Sequence, residues 1–73
     1  MTEYDMSIAP MHRIIKRAGA DRVSEDASLA LRDALEDIGV RISREALDFT
    51  RHAGRKTVKA EDIKIAVTKV IKT

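Results

Sequence analysis

The chain contains no cysteine, so a disulfide framework, a thiolate metal site and a thiol nucleophile are all excluded. Its two histidines, His12 and His52, stand too far apart in sequence to form a local His-x-x-His metal motif. Aromatic residues are reduced to Tyr4 and Phe49, with no tryptophan. That argues against a binder that stacks single-stranded bases on aromatic platforms. No apolar run approaches the length of a membrane span, and no membrane partner is expected. The acidic start, Met1 to Asp5, lacks the basic-then-apolar order of a signal peptide, which leads us to expect an intracellular protein. Glycine is scarce, and Gly19, Gly39 and Gly54 do not form a phosphate-cradling loop. Without a nucleophile–base–acid set, a metal cluster or a cofactor motif, an enzyme has little support and no cofactor is expected.

What remains is a 73-residue chain, 44% hydrophobic and 36% charged, long enough for one small domain. Its net charge is only +2, but the distribution is uneven. Residues 12–23 carry Arg13, Lys16, Arg17 and Arg22 against Asp21 alone. Residues 24–49 hold seven acids against three arginines. Residues 50–60 carry Arg51, Arg55, Lys56 and Lys59 with no acid. Two basic clusters therefore flank an acidic stretch.

The apolar spacing predicts three helices. Ile8, Met11, Ile14, Ile15 and Ala18 recur with helical period, with Ser7 as N-cap, Pro10 in the first turn and Gly19 as the stop. Helix 1 is therefore expected over residues 8–18, followed by a loop at 20–23. Ser24 caps a long second helix, and Glu25 and Asp26 suit the positive end of its dipole. Its stripe is Leu31, Leu35, Ile38, Ile42, Ala46, Phe49 and Ala53, and Gly54 ends it. Gly39 inside this helix suggests a close approach. A third helix opens at Ala60-Glu61-Asp62, with Ile63, Ala66, Val67, Val70 and Ile71 on its apolar face. The expected domain is 8–73, preceded by a short segment, 1–7.

A second helix of about 28 residues is about 42 Å long. Two short neighbours cannot cover it, and Leu29, Val40 and Leu47 widen its apolar stripe. A second copy whose long helix crosses the first is the simplest cover, with Leu31, Leu35, Ile38, Ile42 and Ala46 as the dimer core. An antiparallel crossing would set the 20–23 loop of one chain beside the 54–58 loop of the other, merging their basic clusters. Paired first helices would add a third patch from Arg13 and Lys16. Several basic patches along one edge suit a long polyanion, and duplex DNA is the expected partner.

At this point the residues resemble an archaeal histone. The matching segments are Ile8-Ala9-Pro10, Arg13 to Lys16, Ala18-Gly19-Ala20, Arg22-Val23-Ser24 and, most specifically, Arg51 to Ile63. The resemblance covers residues 8–71. It implies an all-α histone fold, short helix, long central helix, short helix, paired as an intertwined handshake dimer. It also implies non-sequence-specific wrapping and compaction of double-stranded DNA in a chromosome-associated protein. Arg22 would enter the minor groove, as arginines do in histone octamers. Lys56 and Thr57 would contact phosphates, helped by Lys59, by backbone donors near Val23, Ser24, Thr57 and Val58, and by the start of helix 2. Arg55, counted with this basic loop, would clamp it to Asp62. Phe49, His52, Asp62 and Ile65 would join two dimers into tetramers, and Gly19 would permit longer superhelical stacks. The sequence departs from the family's pattern at His12, Arg17, Asp33 and Lys64. The alternative is a heterodimerisation module of a transcription or chromatin complex, pairing with another histone-fold chain. The retention of Arg22 together with Lys56-Thr57 favours DNA.

Overall fold

The computed structural model describes residues 7–71, so the short 1–7 segment lies outside the described residues except for Ser7. Three helices, α1 (Ile8–Arg17), α2 (Glu25–His52) and α3 (Ala60–Val70), are joined by loop 1 (18–24) and loop 2 (53–59). Among the described residues there is no strand. The chain packs as two units, Met1–Asp37 and Ile38–Thr73. The first holds α1 and the start of α2; the second holds the rest of α2 and α3.

The ends of the helices follow from particular residues. Ser24 Oγ accepts the Ala27 N–H at 3.1 Å and so caps α2. Ser7 occupies the N-cap position of α1 with an extended backbone, but its hydroxyl makes no capping bond, contrary to the sequence expectation. Gly19 (φ 114°) and Gly54 (φ 73°) lie in left-handed backbone that β-carbons disfavour. They close α1 and α2 with the same paired bonds. Gly19 N–H donates to the Lys16 carbonyl at 2.9 Å and Ala20 N–H to the Ile15 carbonyl at 3.5 Å. Gly54 N–H donates to the Arg51 carbonyl at 2.9 Å and Arg55 N–H to the Thr50 carbonyl at 3.1 Å. Each bond satisfies a carbonyl that the helix end would leave bare.

Further details depart from the sequence reading, and Ala53, expected in the α2 stripe, lies beyond the helix end at His52. Ala18 falls outside α1 because the stop begins there. Ile71 leaves α3 with extended backbone (φ −107°, ψ 94°) and stays exposed. Nothing approaches Gly39 within 4 Å of where a Cβ would stand, so no contact inside this chain explains it.

The core of the single chain is small. Its fully buried apolar side chains, among the described residues, are Met11 in the first unit and Ala46 and Ala66 in the second. Leu31, Leu35, Ile38 and Ile42 are only half-buried, and Val40 is 48% exposed. Ser28, on the same turn-spaced face as Leu31 and Leu35, is buried with its Oγ lacking a partner.

Candidate nucleic-acid interface

Loop 2 is held by one buried carboxylate. Asp62, at the third position of α3, is 2% exposed. Its Oδ1 accepts from Arg55 Nη2 at 3.0 Å. Its Oδ2 accepts from Arg55 Nη1 at 3.0 Å, from the Lys59 N–H at 2.9 Å and from the Thr50 hydroxyl at 2.7 Å. The Thr50 Oγ also lies 3.0 Å from the Ala46 carbonyl, so its one proton serves two acceptors. Arg55 Nη1 reaches the Thr57 carbonyl as well, at 2.9 Å. A planar guanidinium thus bridges α3 and the middle of loop 2 in a two-pronged grip that a lysine could not reproduce.

The electrostatics follow from that geometry. The Arg55 guanidinium, then the Lys59 N–H and the Thr50 hydroxyl, hold the Asp62 carboxyl far below the usual carboxylate range, against the opposing effect of burial. Asp62 in turn raises the Arg55 pKa. Arg55 is therefore a fixed strut with its charge already matched, and Asp62 is occupied within its own chain.

The same grip leaves its neighbours outward. Lys56, Thr57, Val58 and Lys59 are all exposed. Arg51 and Lys56 line a shallow depression with Leu47, Gly54 and Arg55. In the first unit Arg13, Lys16 and Arg22 are exposed, Ser24 is exposed and Val23 is half-buried. Lys16 Nζ donates to the Asp21 carbonyl at 2.6 Å, which ties α1 to loop 1 beside Arg22. Among the described residues Arg13, Arg22, Lys56 and Lys59 make no ion pair, so their charges are open to an external anion. The start of α2 carries Glu25 and Asp26, which suit the positive end of its dipole. The first turn of α1 carries no acid.

The residues expected between dimers also lie in the second unit. Phe49 is half-buried and Ile65 is 47% exposed. His52 is exposed, with Nδ1 at 2.9 Å from the Asp48 carbonyl. A carbonyl only accepts, so Nδ1 is the donor in that hydrogen bond. Gly19 is exposed with open space around it. Sequence reasoning missed Thr50, although it stands one turn beyond Ala46 on the buried face. It also missed the Lys16 tie to loop 1 and the Glu45–Lys69 pair. These depend on which turns meet, and helical period alone does not specify that. Among the described residues no cluster of His, Asp or Glu could hold a metal ion, and no helix is long and apolar enough to cross a membrane.

Comparison with known proteins bears on these features together. The family of histone-like transcription factors (CBF/NF-Y) and archaeal histones matches residues 5–67. A relative from Thermococcus zilligii, named as one subunit of archaeal histone HAN1, is 54% identical over 63 residues, which span 86% of this chain and 94% of the relative. A second, named probable archaeal histone 3, from Methanocaldococcus jannaschii, is 49% identical over 63 residues, with the same coverage of 86% and 94%. The three-helix, all-α architecture is that of the histone fold, a structural and not an enzymatic scaffold, and the chain belongs to the family of histone-like transcription factors and archaeal histones.

Proposed function

We propose that this chain binds double-stranded DNA without regard to sequence and compacts it as a chromatin protein. The observation that carries the reading is loop 2. Arg55 is locked by Asp62 and the Thr57 carbonyl, while Lys56, Thr57 and Lys59 next to it stay exposed. A loop backbone already held by Arg55 suits phosphates, because little loop freedom remains to be lost on binding and the exposed lysines can reach an anion. The names of the two relatives support the same reading.

The working unit in this proposal is a handshake dimer in which half-buried Leu31, Leu35, Ile38 and Ile42 meet a second copy, around Ala46. Loop 1 of one chain then joins loop 2 of the other. Arg22 enters the minor groove, and Lys56, Thr57, Lys59 and the backbone near Val23, Ser24 and Val58 hold phosphates. Arg13 and Lys16 serve a central patch. Affinity comes from counterion release, and preference between sequences comes from duplex bendability. Dimers meet through Phe49, His52 and Ile65, beside the internally bonded Asp62, and assemble into tetramers or longer stacks that Gly19 leaves room for. Residence on the chromosome follows.

Nuclease digestion of random-sequence duplex DNA saturated with the protein tests this. Protected fragments in steps of about 30 bp, three contacts one helical turn apart, are expected. The Arg22→Ala, Lys56→Ala double variant should bind unrelated duplexes more weakly by a similar factor. Its salt dependence should be shallower by about one unit of slope for each phosphate contact removed. Loss confined to one sequence would refute the reading. A second reading, pairing with a different histone-fold chain, is favoured by the word "subunit" in the name of the Thermococcus relative. An absence of protection by the pure chain that a second histone-fold chain restores would support it.

A further inference from the structure

In the second unit, two stripes of side chains run along α2 and α3. Glu45, Phe49 and His52 recur at helical spacing on α2, as do Asp62, Ile65 and Lys69 on α3. Lys69 Nζ lies 3.5 Å from Glu45 Oε2, which joins the end of the α3 stripe to the start of the α2 stripe. The same ammonium stands over the Phe49 ring, 5.5 Å from its centroid. An apolar centre of Phe49 and Ile65 therefore has an acid and a base at one border. As a lone surface pair, Glu45–Lys69 adds little to the stability of the chain. Its position beside Phe49 and Ile65 gives it another use.

A contact between identical surfaces across a two-fold axis is self-complementary: residue i of one copy meets j of the other, and j meets i. A border that carries one acid and one base suits such a contact, because each charge finds its opposite in the copy. A border of one sign repels its copy. We propose that Glu45 and Lys69 select the partner at this face, admitting a second copy of this dimer and disfavouring dimers whose border has a different charge order. The proposal rests on the reading of Phe49, His52 and Ile65 as the contact between dimers. It adds the residues that determine which dimer is accepted.

The test uses the full chain on random-sequence duplex DNA, with nuclease-protected length and cross-linked dimer count as readouts. Lys69→Glu makes the border all acidic and Glu45→Lys makes it all basic. Each alone should retain single-dimer protection but need about tenfold more protein to reach the longer fragments. Glu45→Lys adds positive charge, so weaker assembly there is not weaker attraction to DNA. An equimolar mixture of the two variants should restore the long fragments, since an acidic border now meets a basic one. Parental ladders from both single variants would overturn the proposal. So would a mixture no better than its components, which would confine the pair to one chain. His52→Ala separates this failure from failure of the underlying reading. If it shortens the ladder while both charge reversals do not, the face stands and the selecting pair is wrong. If it leaves the ladder parental, the face itself is wrong and the proposal falls with it.

Discussion

Four donors converge on the two oxygens of Asp62, and this single residue organises loop 2. Its carboxyl pKa is lowered by Arg55 first, then by the Lys59 N–H and Thr50. A depressed folded-state pKa stabilises the fold at pH values above the unfolded value of about 3.9, and the stabilisation is lost as pH falls from there toward the folded value. Thermal melts of the parent and of Asp62→Asn, at one protein concentration from pH 7 to pH 2, should show this. The parent melts higher at neutral pH, and the gap narrows below about pH 4. A gap that stays constant into acid would refute the ionised grip. Thr50→Val keeps the shape but removes the hydroxyl that faces the carboxylate. Urea unfolding should register a loss of about 1.5–3 kcal/mol, the range for a hydrogen bond to a charged group. The sequence marked Arg55 and Asp62 through a resemblance, whereas Thr50 emerged only once the last turns of α2 were seen to meet the first turn of α3.

At the scale of the helix, the residues that begin and end each element were readable from their types. Ser24 caps α2, and Gly19 and Gly54 terminate α1 and α2, because a capping hydroxyl and a left-handed residue act within a few positions of themselves. Ser7 takes the N-cap position of α1 as its type suggested, but holding that position does not oblige a hydroxyl to turn toward the helix. Two glycine substitutions separate backbone strain from crowding. Neither Gly54 nor Gly39 has an atom within 4 Å of a Cβ built there. Gly54→Ala should nevertheless lose about 1–2 kcal/mol in chemical denaturation, because its φ of 73° is left-handed. Gly39→Ala, inside a helix, should gain about 0.5–1 kcal/mol. A loss at Gly39 would place another chain's backbone against it.

For the molecule as a whole, the buried apolar inventory of one chain is Met11, Ala46 and Ala66 among the described residues, while the α2 stripe stays half-covered. Such a core is too small to offset the conformational entropy of ordering three helices. Folding should therefore be coupled to association. The melting temperature is expected to rise with protein concentration over a hundredfold range, and a concentration-independent value would show a self-sufficient monomer.

Helical period, capping chemistry and charge are properties of neighbouring residues. The short–long–short helix order, the basic clusters around Arg22 and Lys56 and the overfull apolar stripe of α2 could therefore be read without coordinates. The Thr50 and Lys59 bonds to Asp62, the packing that buries Ser28 and Thr50, the tie from Lys16 to loop 1 and the Glu45–Lys69 pair beside Phe49 could not. Each joins groups from different turns or elements, and their meeting depends on how helix faces rotate and pack, which the spacing of residues along one helix leaves open.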